Sequence, residues 1–116
     1  MKNLSFILFG LLLSFFSFSA IASEGPMHLP EGANSSAAMH NKAGIKEWNK
    51  GDYKSALMHF SEASKIAASG ETHFNEAICL DKLGKHSKAS MHFGAAKKNA
   101  RGNKKILNSK ILNAHL

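Results

Sequence analysis

GDYKSALMHFSEA at 51–63 and GKHSKASMHFGAA at 84–96 are the two stretches that decide the fold. Gly51, Ala56, Phe60 and Ala63 recur as Gly84, Ala89, Phe93 and Ala96, each 33 residues further on. The flanking words repeat too, Ser55-Ala56-Leu57-Met58-His59-Phe60 against Lys88-Ala89-Ser90-Met91-His92-Phe93. Apolar residues three and four apart mark an amphipathic helix in both stretches. A glycine ahead of each supplies the left-handed conformation that ends the preceding helix. Alanine at the crossing lets helices approach, and Phe fills the space beside it. A period near this length is the signature of a solenoid, in which each hairpin buries its apolar face against a neighbour.

Working outward, Ala37, Ala38, Ala43, Gly44, Ile45 and Trp48 predict a helix over 37–49, and Tyr53 to Ala67 one that starts at an Asp52 cap. Phe74, Ala77, Ile78 and Leu83 predict a third over 71–83, Ala89, Phe93 and Ala96 a fourth over 86–99, and Ile106 to Leu116 a fifth over 104–116. Residues 23–36 contain Gly25, Pro26, Pro30 and Gly32 without an apolar period, and read as a flexible lead-in. The expected domain is 37–116, with repeats at about 37–69 and 70–102 and a capping helix at 104–116.

These residues resemble the tetratricopeptide repeat over about 37–101. Gly44 and Ala77 sit at that family's small helix-A position, Gly51-Asp52-Tyr53 and Gly84-Lys85-His86 at its turn, and the Ala-Phe-Ala sets on its helix B. The departures are His40, Ala43, His73 and Glu76 where the family has Trp and Leu, His86 for an aromatic, a period one residue short, and two repeats rather than three. The expected class is therefore all-α: two tetratricopeptide-like hairpins and a capping helix, following a signal peptide. The resemblance implies that helix-A residues line a groove for another protein or peptide. By register these are Asn41, Ile45, Trp48, Phe74, Ile78 and Asp81, with Trp48 the natural anchor. The family's carboxylate clamp is not carried over, because Asn41 and Ile45 stand where its Lys and Asn would be.

The N-terminus reads as a secretory signal at 1–22: Lys2, an apolar run from Leu4 to Phe18, then Ala20-Ile21-Ala22 as the cleavage site. The expected destination is outside the cytoplasm, in a bacterial periplasm. Lone Cys79 excludes an internal disulfide, so its states are a buried thiol or an intermolecular bridge. A chain this small then depends on regular helix packing for its core.

Charge is polarised. Every acid lies at or before Asp81, while Lys82, Lys85, Lys88, Lys97, Lys98, Arg101, Lys104, Lys105 and Lys110 follow with no acid among them. Lys97, Lys98, Arg101, Lys104 and Lys105 make a basic surface that attracts acidic partners. An anionic membrane surface and self-association into a homo-oligomer stay open as alternatives; nucleic acid is set aside for an exported chain. No hydrolase, zinc-protease, phosphate-loop or haem-attachment motif is present, so neither an enzyme nor a cofactor is expected. The alternative is copper binding by Met27-His28, Met39-His40, Met58-His59 and Met91-His92, since thioether and imidazole suit that metal. No two His lie three or four apart on one helix face, so no metal ligands are assigned.

Overall fold

Three of the first four helices begin at side-chain caps. In the computed structural model, which describes residues 24–116, α1 (Ser35–Asn49) begins where the Asn34 side chain accepts from Ser36 N and Ala37 N, both at 3.0 Å. Asp52 caps α2 (Tyr53–Ile66) by accepting from Ser55 N, and a Ser69–Thr72 capping box opens α3 (Gly70–Lys82). α4 (His86–Lys98) follows Lys85, which supplies no side-chain cap. The signal peptide expected at 1–22, with its cleavage site, lies outside the described residues.

The repeat in the sequence is a repeat in the backbone. Gly51 and Gly84 hold φ of 79° and 76°, the region open to glycine without a Cβ clash. Gly51 N donates to Trp48 O and Asp52 N to Glu47 O; Gly84 N to Asp81 O and Lys85 N to Leu80 O do the same 33 residues later. α1 packs on α2, α2 on α3 and α3 on α4, in consecutive helix-turn-helix units. The fold is all-α and repeat-like, as expected.

Ala56, Phe60, Ala63, Ala89, Phe93 and Ala96 are all fully buried. Gly44 is small because Phe60 lies on it: a Cβ there would come within 2.6 Å of Phe60 Cδ1 and Cε1. In the second hairpin Phe93 packs edge-on against Phe74, ring centroids 5.8 Å apart.

The C-terminal end differs from the single helix expected at 104–116. It is two short helices, α5 (Lys104–Leu107) and α6 (Lys110–His115). The break comes from Ser109, whose Oγ accepts from Leu112 N at 3.1 Å and so starts a new helix. Ile106 and Leu112 are nonetheless fully buried and cover the open side of the second hairpin.

Within the stretch read as a lead-in, residues 24–30 run without regular secondary structure and form a strap against the helices. Met27 packs against the core of the second hairpin. Its N–H donates to Asn75 Oδ1 at 2.7 Å, and its carbonyl accepts from Asn75 Nδ2 at 2.8 Å and Asn41 Nδ2 at 2.9 Å. Further upstream, the Glu24 carboxylate accepts from Ser109 Oγ and from Lys110 N. The strap thus joins α1, α3 and α6, and together with α5 and α6 it supplies the cover that a third repeat would give.

Candidate functional site

Of the six helix-A residues expected to line an open groove, the strap bonds Asn41 and passes near Trp48, and the others are held by the helices themselves. Asn41 is 2 % exposed and spends its amide on Met27 and on Asn75, whose Nδ2 donates to Asn41 Oδ1 at 2.8 Å. Phe74 and Ile78 are each 1 % exposed and belong to the core. Trp48 and Ile45 are half-buried; Trp48 meets Tyr53 edge-on at 4.7 Å between centroids, with Gly25 of the strap near its Nε1. Asp81 Oδ1 is engaged by His86 Nδ1 at 2.9 Å and His115 Nε2 at 2.8 Å. Of the six, Asn41, Phe74 and Ile78 are thus not open anchors: the chain's own backbone and core packing take the place a partner peptide would need.

The basic residues stand outside this arrangement. Lys97, Lys98, Arg101, Lys104 and Lys105 are all exposed, at the end of α4, on the turn after it and on α5. The turn is held by Arg101 and Gly102 at φ of 45° and 79°, two successive left-handed residues that reverse the chain sharply. A cleft of about 670 Å³ opens between strap and α5, with Pro26, Met27 and Phe74 on its floor and Lys104 and Lys105 among its walls. A second, of about 480 Å³, is bordered by Arg101, Asn99 and Ser69. The acids near these clefts are already engaged: Glu71 Oε1 accepts from Asn103 Nδ2 at 2.8 Å, and Glu24 is held by Ser109 and Lys110. These donors are neutral, so Glu24 and Glu71 keep their charge and the first cleft carries two carboxylates and two lysines beside an apolar floor, while the exposed Lys97, Lys98 and Arg101 add the excess of positive charge alongside.

Two clusters of titratable side chains were not foreseen. His73, Glu76 and His92 converge from α3 and α4, and Asp81, His86 and His115 from α3, α4 and α6. The sequence pattern sought was a His pair within one helix, whereas these pair across a hairpin. The signal was present: His73 lies 11 residues before Gly84 and His92 eight after it, and His40 and His59 flank Gly51 in the same way. Residues on either side of a helical turn meet at the same height. The first-unit pair does approach, with ring centroids 6.2 Å apart.

In three of the four Met-His dipeptides the two side chains differ in exposure. Met39, Met58 and Met91 are exposed while His40, His59 and His92 are half-buried. Cys79 is a buried free thiol, pushed up to about 12 by burial and, secondarily, by the negative charge of Glu76. A thiol so held is a poor nucleophile at neutral pH.

No protein-family model matches the chain, no curated protein matches it, and no solved structure matches it. No helix among the described residues is long and apolar enough to cross a membrane.

Proposed function

We propose that this chain is an exported, tetratricopeptide-like interaction module, without catalytic activity, that receives an acidic segment of another protein on its basic α4–α5 surface. It serves as an assembly or accessory factor for another exported or membrane protein. The observation that carries this reading is the strap. By occupying Asn41 it closes part of the helix-A face, while the cleft beside Lys104 and Lys105 stays open, with an apolar floor and the exposed bases Lys97, Lys98 and Arg101 alongside. A short acidic stretch with an apolar residue matches both features, the charge steering encounter and the apolar contact holding it. Export is read from the N-terminal pattern at 1–22. The same strap suggests how the fold handles irregular backbone: two amides, Asn41 and Asn75, bracket one residue, Met27.

The test compares the mature protein with a variant carrying Lys97→Ser, Lys98→Ser and Lys105→Ser, each immobilised over envelope extract of the producing cell. A partner retained by the first and lost by the second, with retention by the wild type falling as salt rises, supports the reading. Equal retention by both proteins refutes it.

A further inference from the structure

We propose that His73, Glu76 and His92 form a binding site for one divalent metal ion of the zinc class, independent of the basic surface. Three ligand atoms define a triangle. His73 Nδ1 and His92 Nδ1 are 3.1 Å apart, His92 Nδ1 and Glu76 Oε2 3.1 Å, and His73 Nδ1 and Glu76 Oε2 3.5 Å. Tetrahedral zinc with bonds of about 2.0–2.1 Å sets its ligands ~3.3–3.4 Å apart. The triangle has the size of one face of that tetrahedron. Two imidazole nitrogens and a carboxylate oxygen are also the donor set that zinc takes where a fourth position stays open to water or another ligand. The His73 and His92 side chains are 23 % and 33 % exposed, which gives that position access to solvent.

Hydrogen bonding does not account for the arrangement. Glu76 has a side chain only 8 % exposed, and its Oε2 is buried without a hydrogen-bond partner. A buried carboxylate left unpartnered is costly. Putting a proton on one Nδ1 serves one of the three contacts; putting protons on both sets two N–H groups against each other at 3.1 Å. A cation at the centre accepts all three lone pairs at once. The other cluster is different. There Asp81 Oδ1 has a hydrogen bond from each histidine and His115 Nδ1 lies 2.8 Å from Ile111 O, so ordinary hydrogen bonds explain it.

The frame is rigid, as a metal site requires. His73 and Glu76 lie one turn apart on α3, close behind its capping box, and the neighbouring Phe74 and Phe93 lock α3 to α4. The repeat supplies an internal comparison. The residues 33 positions earlier are His40, Ala43 and His59, so the first hairpin duplicates the histidine pair but has a methyl group where the carboxylate stands. Its rings are also further apart, 6.2 Å against 5.4 Å between centroids. The site belongs to the second hairpin, where the ion would tie α3 to α4.

The experiment uses the tag-free mature protein, stripped with a chelator and titrated calorimetrically with zinc chloride at neutral pH, then with cobalt(II) for its visible spectrum. One zinc per chain is expected, with tetrahedral cobalt bands and no thiolate charge-transfer band, since Cys79 is not a ligand. His73→Ala and Glu76→Gln should each weaken binding at least tenfold, and His86→Ala should leave it unchanged. Copper(II), which binds such ligands more tightly as a rule, should displace the zinc from the same residues. Glu76→Gln also separates a ligand from a structural acid. The metal-free variant should melt no lower than the metal-free wild type, because a buried unpartnered charge has been removed, yet zinc should raise the melting temperature of the wild type alone. Absence of saturable binding overturns the proposal. So does binding that survives both His73→Ala and Glu76→Gln, or that depends on His86.

Discussion

Asn75→Ala should release the strap. Asn75 is fully buried and brackets the Met27 peptide, accepting from its N–H at 2.7 Å and donating to its carbonyl at 2.8 Å. Each such bond contributes about 1 kcal/mol net. Losing both therefore weakens the seat of Met27 by about 2 kcal/mol, which corresponds to roughly 30-fold faster opening. A third bond, to Asn41 Oδ1 at 2.8 Å, disappears with them. If the strap stayed down, Asn41 Oδ1 would be a buried acceptor without a donor, at a cost of about 1–3 kcal/mol. Lifting the strap lets water reach it, so the two effects act in the same direction. The assay is amide hydrogen exchange resolved at Met27. Asn41→Ala is the comparison: it removes one bond to the Met27 carbonyl and leaves the acceptor of the Met27 N–H in place. It should accelerate that amide less. A Met27 amide that exchanges at the unprotected rate in the wild type, or equally fast with and without Asn75, refutes the reasoning.

Phe60→Ala and Phe93→Ala should each cost about 3–5 kcal/mol, the range for a truncated buried aromatic, because both rings are fully enclosed; denaturant melts with unchanged midpoints would contradict this. Gly44→Ala should destabilise as well. Its helix-propensity gain of about 1 kcal/mol is outweighed by about 1–3 kcal/mol of overpacking, since the new Cβ falls 2.6 Å from two Phe60 ring carbons; a raised melting temperature would contradict it. Cys79 should resist alkylation at pH 8 until the protein unfolds. Because burial raises its native value from 9.0 to about 12, unfolding releases a proton in that window and stability should fall as pH rises through it. Cys79→Ala should remove this alkaline loss, and an identical alkaline profile in wild type and variant would count against it.

The hairpin frame was legible because its information is local and doubled. Gly51 and Gly84 mark turns by conformation, and the Ala-Phe-Ala sets mark one helix face by spacing. The strap was not legible, for a physical reason. Gly25-Pro26-Met27 has no period, and its seat is made by two amides on different helices, 34 residues apart in the chain. Asn41 was recognised as a residue of the helix-A face, but what it would face depends on where a segment without periodicity comes to rest. The break between α5 and α6 is marked by Asn108-Ser109, a C-cap followed by an N-cap inside an otherwise apolar run. The His73–Glu76–His92 cluster needed the fold before it could be seen, because its ligands sit on two helices. The basic surface was legible from composition, since lysines that have no acid near them in sequence are driven outward by solvation whatever the fold.

The central claim is that partners meet the α4–α5 surface and not the helix-A face. Site-specific photo-crosslinking in the producing cell tests it whatever the identity of the partner, using a photo-reactive amino acid at Arg101 or, separately, at Ile45. The account predicts a crosslinked partner from position 101 and none from position 45, where Ile45 is half-buried against the Phe60 core. Crosslinking from position 45 with none from position 101 would contradict it.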